Sequence, residues 1–156
     1  MDIGTWLAVC GGAMVSTLGG VGSAIGIWLV ARVATGVLSE NPEKFGGLLT
    51  LSIIPGTQGI YSFVLSFMVI MKLGMLGGAP TALTIEQGLR ILLVCIPIGV
   101  VECVSAIYQG KVAAAGVPLV AKRNEQVGQA MTLAVLVEMY ALFGLILGIF
   151  YIMFGI

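Results

Sequence analysis

Four long apolar stretches, separated by short polar breaks, make up nearly the whole chain. They run approximately Trp6–Leu38, Gly46–Met71, Gln87–Ala121 and Val127–Phe154. Each can supply the roughly 20 helical residues that cross about 30 Å of hydrocarbon. The pattern predicts an all-α membrane protein with four transmembrane helices and no soluble domain. The first stretch is expected to remain as a span and not be cleaved as a signal peptide, because its short leader carries Asp2 and no basic residue. Arg32, Lys44, Lys111, Lys122 and Arg123 flank the first and third connections, while only Lys72 and Arg90 flank the second. That bias predicts a multi-pass protein of the cell membrane with loops 38–46 and 121–127 in the cytoplasm and both termini outside.

Sliding the sequence against itself by 82 positions aligns two halves without a gap. Ser23-Ala24-Ile25 meets Ser105-Ala106-Ile107, Val30-Ala31 meets Val112-Ala113, and Thr50-Leu51 meets Thr132-Leu133. The chain therefore reads as a duplicated helical hairpin, residues 1–78 and 79–156, with each half holding two spans. Both halves enter the membrane from the same side, unlike the inverted repeats of many secondary transporters. The first and third spans carry small residues at every fourth position: Gly12, Ser16, Gly20 and Ala24, then Ala106, Gly110 and Ala114. Such faces let helices approach closely in lipid, and two of them at equivalent places predict the crowded inner wall of a ring.

Glu138 is the only charge in the last stretch and stands about eleven residues from either end. An acid at that depth is costly unless it is protonated, paired or coordinated, so it marks a functional site. It aligns with Gly56, and the two hairpins therefore share one such carboxylate. Counting 1.5 Å per residue from the cytoplasmic ends, Gln58, Gln109 and Glu138 all lie about 17–18 Å deep. Thr57 and Tyr61 share a helix face with Gln58. Pro55 cannot donate a helical hydrogen bond, which predicts freed carbonyls nearby. A carbonyl, a hydroxyl, two amide oxygens and a carboxylate make a hard-oxygen cage suited to a small cation. Arg32 and Lys111 are expected to snorkel towards the cytoplasmic interface. Glu102 lies about 10 Å further out than Gln109. It is open to three readings: a second ion station, a group facing a central pore, or a neutral packed acid, of which the last two are favoured.

Composition narrows the chemistry. Hydrophobic residues make up 59% of the chain and charged residues 9%, with zero net charge, which argues against nucleic acid as a partner. With no histidine, and with Cys10, Cys95 and Cys103 scattered through the spans as packing residues, zinc or haem chemistry has no ligand set. There is no Gly-rich phosphate loop with an adjoining Lys-Ser or Lys-Thr, so the chain is not expected to be an enzyme by itself.

Pro55-Gly56-Thr57-Gln58-Gly59-Ile60-Tyr61, then Gln109-Gly110-Lys111-Val112-Ala113-Ala114-Ala115-Gly116, then Val137-Glu138 resemble the V-type ATPase rotor-ring proteolipid, the K or c subunit. The likeness is greatest to its bacterial sodium-pumping form and covers essentially the whole chain. The resemblance implies a homo-oligomeric ring of four-helix subunits in lipid, turned by ATP hydrolysis on other subunits. It also implies central-stalk partners at the cytoplasmic loops and a stator membrane subunit supplying an arginine. Carried over by position, Thr57, Gln58, Gln109 and Glu138 are side-chain ligands for Na+, Ile54 lends its carbonyl, and Tyr61 hydrogen-bonds and orients the carboxylate. Glu102 lies outside the family pattern, as does Met139, where sodium-type relatives often carry threonine. One carboxylate per four helices implies few ions moved per ATP, a gearing that suits a pump.

Three alternatives remain. The same ring could carry H+ only, although a raised carboxyl pKa would then suffice and the amide and hydroxyl oxygens would be surplus. A stand-alone cation channel or transporter would be expected to show inverted repeats or broken helices, and the sequence shows neither. A purely structural membrane oligomer leaves the mid-depth polar cluster without a role.

Overall fold

Asp2 and Thr84, 82 residues apart, open the two longest helices by the same device. In the computed structural model, which describes residues 2–78 and 81–155, Asp2 accepts hydrogen bonds from the Thr5 backbone N–H at 2.7 Å and from its hydroxyl at 2.6 Å. Those bonds hold the Asp2 carboxyl below its ordinary value of 3.8, with the Thr5 hydroxyl the larger cause. Thr84 and Gln87 form a reciprocal capping box. Helix α1 (Ile3–Leu38) and helix α4 (Ile85–Lys122) follow. Each then turns through a short 3-10 segment, Pro42–Lys44 or Asn124–Gln126, into the returning span. The return in the second half is one continuous helix, α5 (Val127–Phe154). In the first half it is broken: α2 (Phe45–Ile53), a 3-10 turn at Ile54–Gly56, then α3 (Thr57–Lys72). The starts of α1 and α4, the two 3-10 loops, the starts of α2 and α5, and the ends of α3 and α5 all obey the offset of 82.

Four helical stretches are long and apolar enough to cross a membrane: Ile3–Leu38, Pro42–Lys72, Ile85–Lys122 and Val127–Phe154. The first and third begin two or three residues earlier than hydropathy alone suggests, because the caps draw polar residues into the first turn. The boundary between residues 78 and 79 falls at the edge of the described residues, since residues 79 and 80 lie outside them.

Helices α1 and α4 lie against each other along their length. At Gly22 a Cβ would sit 2.5 Å from Cys103 Cα, and at Gly110 a Cβ would sit 2.5 Å from Gly26 Cα. The backbones therefore meet where any side chain would hold them apart. Without a hydrophobic force between helices in lipid, this close van der Waals packing is what binds them. The contact face departs from the expected small-residue stripe. Gly12 packs on Val69 and Ser66 of α3, while Gly20 has nothing within 4 Å and Ala24 is exposed. Residues four apart drift about 40° round a helix of 3.6 residues per turn, so a long i+4 stripe leaves any one neighbour.

Two apolar clusters fill the protomer. One joins Val15, Leu65, Val69, Ile91, Ile98 and Ile152; the other joins Val30, Leu48, Leu51, Ala113, Val117 and Ala134. Between them lies a buried polar layer of Ser23, Gln58, Ser62, Glu102, Ser105, Gln109 and Glu138. Lys44 donates to the Ala121 carbonyl and Lys72 to that of Ile152, closing the ends of α4 and α5.

The two deeper basic residues do not extend towards the C-terminal ends of their helices, the direction that snorkelling would take them. Arg32 lies over the Trp28 ring at 4.6 Å and Lys111 over the Tyr108 ring at 4.4 Å, each one turn back towards its helix N-terminus. Helical side chains tilt that way, and a cation gains from an aromatic face. Cys95 is buried within the protomer, and Cys10 lies on its surface.

Candidate functional site

The break in the second span positions the first half of the site. Pro55 has no N–H to continue the α-helical ladder, and the backbone tightens over Ile54–Gly56. The Ile54 carbonyl is not left free, as the sequence suggests. It accepts the Thr57 N–H and also the Thr57 hydroxyl at 3.0 Å. The same hydroxyl lies 3.3 Å from Gln58 Oε1. Ile54, Thr57 and Gln58 thus set three oxygens in a row at the turn. The interruption is a single 3-10 turn in which Ile54 and Gly56 keep right-handed helical backbone, so Pro42–Lys72 still crosses as one helical stretch.

Helix α5 supplies the carboxylate. Its buried residues Ala130, Ala134, Glu138, Ala141 and Gly148 follow helical spacing, and the small ones let α5 come close enough for Glu138 to reach its partners. Glu138 is 7% exposed. Its Oε1 accepts the Tyr61 hydroxyl at 2.5 Å and its Oε2 accepts Gln109 Nε2 at 3.0 Å. Gln58 Nε2 donates in turn to Gln109 Oε1 at 2.7 Å and to Ser105 Oγ at 3.3 Å. Gln58 and Gln109 are wholly buried. A groove of about 450 Å³ between the broken span and α5 has Ile54, Gly56, Thr57 and Glu138 along its wall. Glu138, Ile54 and Thr57 therefore border one space, with Gln58 buried behind it.

The structure brings Thr57, Gln58, Tyr61, Gln109 and Glu138 together, with Ile54 beside them. Met139 is 42% exposed, on the outer side of α5. Ser105 is a member of the site that sequence reasoning misses. Its hydroxyl donates to the Val137 carbonyl at 3.1 Å and so ties α4 to α5 one residue before Glu138. Its spacing of four from Gln109 is the signal that could have found it. Its counterpart Ser23 accepts the Gly59 N–H at 2.8 Å just past the broken turn.

Glu102 does not join this network. It is wholly buried and hydrogen-bonds to nothing among the described residues. A Cβ added at Gly144 of α5 would lie 3.9 Å from its Oε1, so it is packed between α4 and α5. That packing contradicts a carboxylate open to a central pore.

Residues 10–69 and 92–151 each match the family model for the ATP synthase C subunit. The chain belongs to that family. The two matched stretches fall one in each hairpin and stand 82 residues apart. Among relatives, the V-type sodium ATPase subunit K of Enterococcus hirae is 37% identical over 144 residues, covering 92% of this chain and 88% of that protein. The A-type ATP synthase subunit K of Methanocaldococcus jannaschii is 32% identical over 144 residues, 92% of this chain and 60% of that longer protein. As a member of this family the chain is a multi-pass, non-catalytic ring component of a rotary ATPase.

Proposed function

We propose that the chain is the ion-carrying rotor-ring subunit of a V-type rotary ATPase and that its cargo is Na+. Glu138 is the carrier, with Ile54, Thr57, Gln58 and Gln109 as the remaining ligands and Tyr61 as the residue that orients the carboxylate. The observation that supports this most is that both Glu138 oxygens accept hydrogen bonds, from a phenol and an amide, while Ile54 and Thr57 line the same groove. An acceptor-only carboxylate is the ionised form, the form that coordinates a cation. On coordination the Thr57 hydroxyl gives up its bond to Ile54, so that both oxygens turn to the ion. The sodium-pumping relative supports the choice of ion.

A loaded Glu138 carries no net charge with its ion and can pass lipid as the ring turns; an empty, ionised one cannot. The empty site meets an arginine of the stator membrane subunit, which makes ion movement and rotation one process. ATP hydrolysis belongs to other subunits, and the central stalk meets loops 38–46 and 121–127 on the cytoplasmic side, with the termini outside. The hairpins 1–78 and 79–156 act as one membrane domain. The test is the ATPase activity of the assembled complex as sodium is varied at constant ionic strength. The proposal expects saturable stimulation by Na+ and little by K+; full activity in sodium-free buffer with acidification of one side would instead favour H+ as the cargo.

A further inference from the structure

Glu102 is the second deep acid of the spans, and the ion site makes no use of it. Helix α4 sets it seven residues, about 10 Å, from Gln109 on the same face. Its carboxyl is wholly buried, both oxygens lack a partner among the described residues, and Gly144 of α5 packs against it and against Ile98 and Val101. A buried ionised carboxylate without donors costs several kcal/mol that nothing here offsets, whereas a neutral acid leaves one O–H unmatched. A metal cation has no ligand set there. Among the described residues Ser62 is the other buried side chain without a partner, and it lies against Gly19 of α1.

Few charges bear on this carboxyl. Glu138 of α5 is the other acid of the buried polar layer, and Tyr61 of α3 donates to it. Tyr140 of α5 is 68% exposed, and α1 has no acid or base between Asp2 and Arg32. We propose that Glu102 is a proton-only site coupled to the ion site: it holds its proton while Glu138 stands bare and ionised, and releases it more readily once that charge is neutralised. Glu138 stands six residues along α5 from Gly144, which packs on Glu102, a separation of about 9 Å, and at an effective dielectric of about 20 the coupling is on the order of tenfold in proton affinity. The inference rests on the proposed role of Glu138 only in requiring that its charge can be neutralised, whatever the cation.

Infrared spectroscopy of the intact purified ring tests it. In sodium-free buffer at neutral pH, a protonated-carboxyl C=O band should be present in the native protein and absent from both Glu102→Gln and Glu102→Met; the apolar variant guards against an amide that the site cannot accommodate. At a fixed alkaline pH the band should be weaker in Glu138→Gln than in the native ring. A missing band at neutral pH, or equal alkaline bands with and without the Glu138 charge, would overturn the proposal. Added Na+ should reproduce the effect of Glu138→Gln. If the substitution weakens the band and sodium does not, the coupled proton site stands and sodium fails as the cargo.

Discussion

The two hairpins share their caps, their loops and an offset of 82, yet at mid-depth they have become complementary parts. Where the first has Pro55, Gly56, Thr57 and Gln58, the second has Val137, Glu138, Met139 and Tyr140. The returning span of the first hairpin tightens at Pro55 and sets carbonyl, hydroxyl and amide oxygens together; that of the second stays α-helical and offers one carboxylate. A second proline turn would leave more carbonyls to be satisfied in lipid, and a second acid would add a charge needing its own partners. Duplication let each half supply what the other lacks. One layer out the halves diverge again: Gly144 packs on Glu102 in the second hairpin, whereas of their counterparts Ser62 lies on Gly19 and Gly20 has no neighbour within 4 Å.

If the halves are complementary, removing the second's contribution should hurt most. Glu138→Gln should abolish ion transport in reconstituted complexes while leaving an assembled ring visible by electron microscopy; transport above background would break the comparison outright. Next comes Gln109→Leu, which deletes the amide that joins the hairpins. It removes a hydrogen bond to a charged group, worth about 1.5–3 kcal/mol, and should weaken sodium binding by about ten- to a hundredfold. Thr57→Val and Pro55→Ala probe the first hairpin alone. Each should weaken binding by about tenfold in calorimetry, the first by deleting one oxygen and the second by straightening the turn that presents them. An unaltered affinity in Pro55→Ala would mean that the broken span is only a kink.

Much of this is legible in the sequence because it depends on spacing. Hydropathy and the repeat locate all four spans, and depth counting brings Gln58, Gln109 and Glu138 to one level. What stays hidden depends on rotation and on alternatives for the same atom. The i+4 stripe from Gly12 to Ala24 does not reveal that Gly22 and Gly26 carry the α1–α4 contact, since only tertiary packing selects the face. Pro55 signals a disturbed turn but not that Thr57 occupies the Ile54 carbonyl. Ser105 stands in plain view four residues from Gln109, and its bond to Val137 depends on how α5 is turned. Arg32 and Lys111 depart from expectation because tilt and a nearby ring outweigh reach.

The smallest expected difference lies at the caps. The Asp2 carboxyl is held below its ordinary value by Thr5, so its capping is in place above about pH 4 and is lost as pH falls through its lowered folded value. Thr84 has no proton to gain. Amide exchange, corrected for intrinsic rate, should show the first turn of α1 loosening in acid while that of α4 holds, and Asp2→Asn should remove the difference.

Carbodiimide labelling of Glu138 in the native ring tests the shared cage most directly, since the reagent attacks the protonated carboxyl and the groove gives it access. Labelling should rise as pH falls and be suppressed by Na+ but little by K+, with sodium's protection weakening in acid as protons compete for the same oxygens. Labelling that titrates normally with pH but is indifferent to sodium at every pH would contradict the cage and leave Glu138 a carrier of protons alone.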